Sequence, residues 1–375
     1  MEIYRFNETL KNLDTHKMLS LIRKLDWKLN FAVLFLIAAG LMTLVSSRPD
    51  LFWKQLIFAV VGIIVATIFI FFNWQSYANY RGATFWFYAI SILLLIIAGF
   101  FAPSIRGTKG WLVFGEINFQ VSEFAKLALI LVFAKFFSRK NIGIAKFSNL
   151  LGSFLYFCVP AGLVALQPDF GSALVLFCIW FGFLLVSGIK YKHLIIAVII
   201  FSILGGMVWN SVLENYQKDR IMGFIFSERD PLGVNYNVIQ AKIAIGSAGL
   251  FGKGFGQGSQ VQLGFLPEAS TDFIFSAFIE EWGILAGFFL VLVFVFFILR
   301  IVKIGLDADN NFGRFICLGA VILFVVQFIF NIGSNLGLTP VIGVTFPFLS
   351  YGGSSLLTNL IFVGIIQSVF MRRSI

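Results

Sequence analysis

Long apolar runs are the feature of this sequence that most restricts how the chain can fold. A helix that crosses a bilayer needs about 20 apolar residues, or about 17 when the fit is tight. Segments that meet or approach this length lie at 31–46, 51–73, 84–101, 124–137, 151–165, 172–188, 194–210, 273–298, 315–332 and 356–370. The sequence therefore predicts an all-α integral membrane protein with about ten transmembrane helices, of which the fourth and fifth are short.

The distribution of positive charge predicts the orientation of these spans. An even number of spans puts both termini on one side, and a cytoplasmic N-terminus places most of the 28 Lys and Arg residues inside. We therefore predict cytoplasmic termini, an N-terminal arm over 1–26 and one transmembrane domain over 27–375. The net charge of +10 then reflects topology and attraction to anionic membrane lipid. No nucleic-acid partner is inferred from it.

The longest connection, 211–271, joins predicted helices 7 and 8 on the extracytoplasmic side. Long loops within compact folds are often functional. Its stretch 234–250 mixes apolar and polar residues, as an interfacial helix does. The glycine-rich run that follows has the composition of a flexible, turn-rich connector, and it lacks the Ser or Thr that a phosphate-binding Walker motif requires after Gly-Lys.

Three carboxylates stand at or below the end of this loop, in the stretch 266–283. Asp272 sits where the loop meets an apolar helix, and Glu280 and Glu281 follow within that helix. Carboxylates at membrane depth are costly and tend to mark function. On an ideal straight helix Glu281 falls opposite Asp272, and Glu280 lies about 80° away. The three therefore cannot form one compact site, and we assign Glu280 and Glu281 to internal polar pairing. Asp272 has two interpretations, as a functional carboxylate or as an early helix residue favoured by the helix dipole.

Other outer segments carry polar residues that allow a structural or a functional interpretation. Glu123 and Lys126 share one helix face, either as an internal salt bridge or as a pair that shapes a cavity for an anionic substrate. Asp169 follows Gln-Pro in a tight turn and can cap the next helix. The segment 331–355 is rich in Gly, Pro and Ser yet apolar, which indicates backbone folded into the membrane beside a cavity. Its hydroxyls either bind a sugar or phosphate or terminate helices.

Several of these stretches resemble one protein family. The segment 331–355, with SYGGSS at 350–355, is similar to a motif of the shape, elongation, division and sporulation (SEDS) family, which includes RodA and FtsW. The runs RGTKGWLVFGEINFQVSEFAKLA, QPDFGSALVL and LPEASTDFIFSAFIEEWG also fit that family, in the family's order. The segment 230–268 is more similar to RodA, which implies cell elongation. Val121 departs from the family pattern, where Pro is expected.

The resemblance implies a peptidoglycan glycosyltransferase that polymerises lipid II at the outer face of the bacterial cytoplasmic membrane. The β-1,4 bond forms from an α-linked precursor, so the reaction inverts and needs one base, for which Asp272 is the candidate. The expected substrate-binding residues are Arg106, Glu123, Lys126, Lys242, Ser350, Tyr351 and Ser354. Mg²⁺ or Mn²⁺ is an expected cofactor without identifiable ligands. The expected partners are a class B penicillin-binding protein, which is a transpeptidase, and other membrane proteins of the elongation complex.

Three other functions remain open from the residues alone. A flippase for lipid-linked precursors would also need many spans, a cavity and intramembrane charges. A secondary transporter would show paired repeats with a midplane site, and the sequence has no evident repeat. A non-catalytic scaffold of the elongation complex would not need Asp272.

Overall fold

A computed structural model gives the architecture of the chain. It describes residues 24–72, 74, 82–105, 107–115, 117–140, 147–188, 191–192, 195, 199, 205–206, 209–210, 215–226, 233 and 235–373. Two strands, β1 (Trp111–Phe114) and β2 (Ile117–Gln120), form an antiparallel hairpin. In chain order the helices are α1 (Trp27–Ser47), α2 (Pro49–Phe71), α3 (Ala83–Phe101), α4 (Val121–Lys140), α5 (Phe147–Leu166), α6 (Phe170–Val186), α7 (Asn215–Ile225), α8 (Tyr236–Ser247), α9 (Ser259–Gln262), α10 (Ile274–Leu306), α11 (Asn311–Leu336) and α12 (Gly353–Met371).

Most of the predicted spans coincide with long helices. In the described part of the chain seven helices are long and apolar enough to cross a membrane, and α6 is apolar but shorter. The fourth and fifth predicted spans, expected to be short, are helices of 20 residues each. The predicted span 194–210 lies mostly outside the described residues, so the total of ten stays a prediction. The predicted interfacial helix at 234–250 corresponds to α8.

Helix α4 lies at the centre of the bundle, although it is one of the less apolar of the long helices. It packs against α3, α5, α6, α11 and α12. Its residues from 127 to 134 are all buried, because protein surrounds them on every side. An enclosed helix can carry charge that a lipid-facing helix could not, since neighbouring helices supply partners. Glu123 and Lys126 are therefore held on a rigid central element.

A proline in α5 is compensated by a tyrosine from α3. Pro160 lies inside α5 and has no N–H to donate to the carbonyl one turn earlier, that of Tyr156. The buried Tyr88 hydroxyl donates to this carbonyl at 2.8 Å. Their rings also meet edge to face, with centroids 5.7 Å apart. The α3–α5 contact thus satisfies a backbone group that the proline leaves open within the membrane.

Helix α10 is broken at Gly283, which has φ +89° and ψ 169°. The break frees backbone groups on either side, and the glycine-rich loop 249–254 pairs with them. Carbonyls at 280 and 281 accept from the amides of Lys253 and Gly254 at 2.9 and 3.1 Å. Amides at 284 and 285 donate to the carbonyls of Gly249 and Leu250 at 3.1 and 3.2 Å. The connector predicted to be flexible is therefore an ordered backbone clamp on a broken helix. The break at Gly283 lies beyond Glu281, inside the apolar span predicted over 273–298.

We expect Gly283→Ala to destabilise the protein. A Cβ at this position would clash with the carbonyl of Leu250 and the amide of Gly252, and an L residue in this nearly glycine-only backbone region costs about 1–3 kcal/mol by itself. The matched control is Gly246→Ala, because this glycine lies inside α8 and a Cβ there would meet nothing within 4 Å. Thermal unfolding in detergent should show a lower Tm for Gly283→Ala and an equal or higher Tm for Gly246→Ala. Equal Tm values for Gly283→Ala and the wild type would contradict the clamp.

The segment 337–352 runs from the end of α11 back into the protein before α12 begins. Its Phe348 ring packs against Phe297 of α10 at 5.3 Å and Phe324 of α11 at 5.5 Å. A Cβ on Gly40 of α1 would clash with the backbone of Leu349, so the two backbones touch. Irregular backbone at membrane depth is tolerated where protein encloses it. This re-entrant segment is shorter than the predicted 331–355, because 331–336 continue α11 and 353–355 begin α12.

Candidate active site

Asp272 lies in a tight turn immediately before α10 begins, and its residue is partly exposed. Its backbone carbonyl accepts hydrogen bonds from two side-chain amides of α11. These donors are Asn331 Nδ2 at 3.1 Å and Asn335 Nδ2 at 2.8 Å. Two buried side chains one turn apart on α11 thus fix the backbone of the carboxylate-bearing residue. Because Asp272 precedes α10, this turn sets the direction of its side chain. The angles predicted for an ideal straight helix therefore do not apply to Asp272.

Asn335 connects this turn to the first turn of α10. Its Oδ1 accepts from the Ser276 amide at 3.0 Å and from the Ser276 hydroxyl at 2.6 Å. Its Nδ2 donates to Asn331 O at 2.8 Å as well as to Asp272 O. Asn335 and Ser276 are fully buried. The Asn335 side chain therefore joins α11 to the Asp272 turn and to α10. It also satisfies the Ser276 N–H, which lies in the first turn of α10 and has no helical partner.

The re-entrant segment holds the other side of the Asp272 turn. The Ser350 hydroxyl donates to Thr271 O at 2.7 Å and accepts from Phe346 N at 2.9 Å. The Tyr351 amide donates to Ser270 O at 2.9 Å. Gln55 of α2 donates to Ser350 O at 3.2 Å. The Ser350 hydroxyl, predicted to bind substrate, is therefore engaged with the backbone beside Asp272.

The first turn of α12, which directly follows the re-entrant segment, contacts the β hairpin that precedes α4. The Ser354 hydroxyl accepts from Gln120 N at 2.9 Å and donates to Asn118 O at 3.2 Å. Asp169 caps α6 through Ser172 N at 3.0 Å and also accepts from Gln120 Nε2 at 3.1 Å. Hydrogen bonds thus join the Asp272 turn, the re-entrant segment and the hairpin that immediately precedes α4. Asp169 has the capping geometry that its tight turn predicted.

Glu123 and Lys126 form an ion pair just inside the start of α4. Lys126 Nζ donates to Glu123 Oε1 at 2.7 Å, and both side chains are at least 95% buried. Glu123 Oε2 is buried without a hydrogen-bond partner in the described part of the chain. The ammonium has three donors, of which a single one is used by a described residue. The pair therefore retains unused donors and an unused acceptor inside the protein.

Glu280 is buried and fully engaged with the loop that clamps α10. Its carboxylate accepts from Lys253 Nζ at 2.7 Å, Gln260 N at 2.9 Å and Val261 N at 3.3 Å. This set neutralises the charge and fixes the fold of 253–261. Lys253, a cation of the outer loop, is thus engaged in an ion pair with Glu280.

Glu281 joins the same loop to α1. Its Oε1 accepts from the Ser46 hydroxyl and from the Gly256 amide. Gln262 Nε2 also donates to Ser46, at 3.1 Å to each of its oxygens. Glu280 and Glu281 therefore bind different partners. Glu281 Oε2 is buried without a hydrogen-bond partner in the described part of the chain, and the structural role of both carboxylates stays a prediction.

The remaining predicted substrate-binding residues are placed differently. Lys242 is exposed on α8, and its ammonium lies over Gly337 at the end of α11. Helix α8 itself packs Ala241 into a small apolar cluster that contains Phe273, the residue after Asp272. Arg106 lies outside the described residues. Tyr351 is partly buried beside the Asp272 turn.

Comparison with known proteins identifies the family of this chain. The model of the FtsW, RodA and SpoVE family, described as cell cycle protein, matches residues 20–375. The chain belongs to this family. It is 36% identical over 301 residues to the peptidoglycan glycosyltransferase MrdB of Escherichia coli K12. The aligned region covers 78% of this chain and 79% of MrdB. It is 34% identical to the stage V sporulation protein E of Bacillus subtilis, over 84% of this chain and 86% of that protein.

Solved structures agree with the family assignment. One chain of a peptidoglycan synthase complex, studied for the structural coordination of polymerization and crosslinking, superposes with a TM-score of 0.79 and 29% identity, covering 92% of this chain and 97% of that one. The rod shape-determining protein RodA of Thermus thermophilus superposes with a TM-score of 0.71 and 27% identity, covering 94% and 98%. The chain is therefore a multi-pass membrane protein with the fold of this family.

In this FtsW, RodA and SpoVE family member, sequence reasoning missed the residues that position Asp272. Asn331, Asn335 and Ser276 were not predicted as site residues. A signal was present, because Asn331 and Asn335 are spaced by one helical turn in an otherwise apolar run and so share a face. Buried amides in a membrane helix need partners. Such a pair predicts a bound backbone or ligand on that face, but it does not say which.

The described residues contain no group of three or more His, Cys, Asp or Glu side chains that could hold a metal ion. Mg²⁺ usually binds through one or two carboxylates together with substrate phosphates and water, so this does not test the expected cation. Mg²⁺ and Mn²⁺ therefore stay predictions from the resemblance.

Proposed function

We propose that this protein polymerises lipid II into β-1,4-linked glycan during cell elongation, with Asp272 as the general base. The observation that carries the proposal is the fixed turn of Asp272, a partly exposed carboxylate whose backbone is held by Asn331 and Asn335. Rigid support of this kind is what a positioned catalytic group needs. Relatives that bear the name peptidoglycan glycosyltransferase support the reaction class.

The reaction requires one proton transfer and one displacement. The Asp272 carboxylate accepts the proton of the acceptor sugar's 4-hydroxyl, and the resulting oxygen nucleophile attacks the anomeric carbon of the donor. The carbon–oxygen bond to the lipid pyrophosphate breaks, and the pyrophosphate leaves with the bonding electron pair. Attack opposite an α-linked leaving group gives a β linkage in one step, so no covalent enzyme intermediate is needed, unlike in a retaining glycosidase.

The leaving pyrophosphate needs positive charge near it. We assign this role to Lys126 and Arg106, the two outer cations that match family motifs. Lys126 supports the assignment because its ammonium has a single acceptor, Glu123, among the described residues. Its remaining N–H groups can donate to phosphate oxygens, while Glu123 holds the ammonium in place. Tyr351 and Lys242 lie on the elements around the turn, and we propose contacts to the sugar and to the outer phosphate for them.

The location follows from the same proposal. We place the protein in the bacterial cytoplasmic membrane with both termini inside and Asp272 facing outward. The Lys and Arg distribution supports this orientation. The long loop 211–271, which carries α8 and the clamp on α10, then lies on the outer side together with the catalytic turn.

A class B penicillin-binding protein is the proposed partner. The similar chain from a peptidoglycan synthase complex, where polymerization and crosslinking are coordinated, supports this pairing. We propose that the single span of the transpeptidase packs on the later helices. Leu285, Phe288, Phe289 and Leu292 of α10 are exposed on the described chain and offer an apolar surface for a span. Other membrane proteins of the elongation complex are further proposed partners.

Reconstitution tests the activity against its main alternative. The purified protein, alone and with its transpeptidase, is placed in vesicles that contain fluorescent lipid II. We expect a ladder of glycan products on a gel. Movement of lipid II between leaflets without any glycan would instead identify a flippase, and neither product nor movement would support a scaffold.

Asn335→Asp tests whether the turn positions the carboxylate. The substitution keeps shape and the acceptor for Ser276, but it replaces the donor to Asp272 O by an oxygen. A misplaced catalytic group can lose about 10²-fold in rate, so we expect polymerisation to fall about 10- to 100-fold. The lipid II concentration for half-maximal rate should change little, because substrate contacts remain. Gln120→Glu, a control at the hairpin amide that contacts Asp169, should lose less activity; equal losses would contradict a specific role for Asn335.

A further inference from the structure

A cavity of about 400 Å³ opens between the beginning of α3, the end of α4 and the middle of α5. It lies at the end of α4 opposite Glu123, because Arg139 is about 24 Å further along the helix. In the proposed topology this end is cytoplasmic. The α3–α4–α5 cavity is therefore separate from the Asp272 site and is not used by the mechanism.

Two cations enter the α3–α4–α5 cavity from one face of α4. Lys135 and Arg139 are spaced by four residues, and like charges at this spacing repel each other on a helix. No carboxylate lines the cavity in the described part of the chain. The sequence contains no Asp or Glu at all over 51–115 or 124–168, which includes all of α3 and α5 and the segments that flank them. These elements themselves provide no carboxylate to neutralise the pair.

Three polar groups that line the α3–α4–α5 cavity can donate hydrogen bonds to a ligand. Among the described residues, the Arg139 guanidinium and the hydroxyls of Thr84 and Tyr156 have no hydrogen-bond partner, although all three residues line the cavity. Uncommitted donors around a concave surface are the usual means of fixing an anionic group. The planar guanidinium of an arginine can also donate two parallel hydrogen bonds to the oxygens of one phosphate.

The rest of the α3–α4–α5 cavity wall is aromatic. The rings of Tyr88, Phe136 and Tyr156 meet edge to face, with Tyr156 at 5.7 Å from Tyr88 and 6.0 Å from Phe136. Phe85 at the rim is 56% exposed on a helix that is apolar enough to span the membrane. The cavity thus combines cations at a helix end with an apolar wall continuous with the lipid-facing surface.

We propose that the α3–α4–α5 cavity binds the phosphodiester headgroup of one anionic phospholipid from the cytoplasmic leaflet. Lys135 and Arg139 bind the phosphate, the Tyr156 hydroxyl donates to it, and the acyl chains extend along Phe85 into the bilayer. The volume suits a headgroup and its glycerol and not a whole lipid. A bound lipid would tie α3, α4 and α5 together at the end remote from catalysis.

Native mass spectrometry of the full purified chain tests the proposal, with phosphatidylglycerol and phosphatidylcholine of equal acyl chains as probes. We expect a one-to-one phosphatidylglycerol adduct and weaker phosphatidylcholine binding. At about 1 kcal/mol per cation near an anionic surface, K135Q/R139Q should weaken the adduct on the order of 30-fold. The swap K135R/R139K keeps both charges and should retain most binding.

The matched control is K28Q/K303Q, which removes two exposed cations of α1 and α10 with the same change in net charge. We expect it to bind phosphatidylglycerol within about threefold of the wild type, since neither cation lines the cavity. Equal weakening in both pairs, or equal affinity for the two lipids, would overturn the site. Displacement of phosphatidylglycerol by inorganic phosphate at matched concentration would also overturn it, in favour of a soluble phosphate ligand.

Discussion

Asp272→Asn should slow glycan formation from lipid II severely while leaving the fold intact. The amide has nearly the same size and preserves the backbone contacts to Asn331 and Asn335, which involve the Asp272 carbonyl and not its side chain. It cannot accept the proton of the acceptor hydroxyl. Removal of a general base typically costs about 10²- to 10⁴-fold in rate, so we expect product formation to fall by that factor.

The control for this variant is Glu268→Gln in the same turn. Glu268 accepts from the Thr271 hydroxyl at 2.8 Å, so the substitution removes one nearby charge without touching the proposed base. We expect Glu268→Gln to stay within about threefold of the wild-type rate, because the amide oxygen can still accept from the Thr271 hydroxyl and no group of the proposed mechanism changes. If both variants lost activity equally, the effect would belong to the charge of the turn and not to base catalysis at Asp272.

Lys126→Met should be the most destabilising of the substitutions considered. It leaves the buried Glu123 carboxylate without its cation. Oε1 loses the bond from Lys126, and Oε2 already has no hydrogen-bond partner in the described structure. Breaking a buried ion pair from one side typically costs about 3–5 kcal/mol. We expect the free energy of unfolding, measured by reversible unfolding in mixed detergent micelles, to fall by about that amount.

A double variant separates charge from packing at this pair. In Glu123→Met with Lys126→Met no buried charge is left, and replacing a whole buried pair by apolar groups is often neutral for stability. We therefore expect the double variant to recover most of the lost free energy of unfolding but none of the polymerase activity, because the proposed cation for the pyrophosphate is gone. Lys303→Met, at an exposed cation, serves as the control. A double variant as unstable as Lys126→Met would show that packing and not charge dominates.

The long helices could be predicted from the sequence because membrane burial leaves a strong local signal. Apolar runs of sufficient length mark α1, α2 and α3 closely, and Asp26 and Asn310 cap α1 and α11 as short polar residues do. The break in α10 could not be predicted from Gly283 alone. A glycine inside an apolar run is common in membrane helices, and this one breaks the helix because the loop 249–254, distant in sequence, supplies the hydrogen bonds.

The candidate site could be predicted in part. Asp272, Glu123 and Lys126 stand out because charge is rare at membrane depth. Their neighbours could not be chosen from spacing. Ser350 and Ser354 look like free hydroxyls of a Gly- and Ser-rich loop, but they bind the backbone at Thr271 and Asn118. Whether a hydroxyl meets a substrate or the protein depends on how the re-entrant segment folds back, and that is a tertiary property.

The measurement that tests the central claim most directly separates lipid II binding from the formation of the first glycosidic bond. Binding of fluorescent lipid II is measured at equilibrium, and bond formation is followed in a single turnover, for the wild type and Asp272→Asn in complex with the transpeptidase. We expect Asp272→Asn to bind lipid II within a few-fold of the wild type and to form the bond at least about 10²-fold more slowly, because a base acts in the transition state alone. Bond formation at the wild-type rate, or a loss that lies entirely in lipid II binding, would contradict Asp272 as the base.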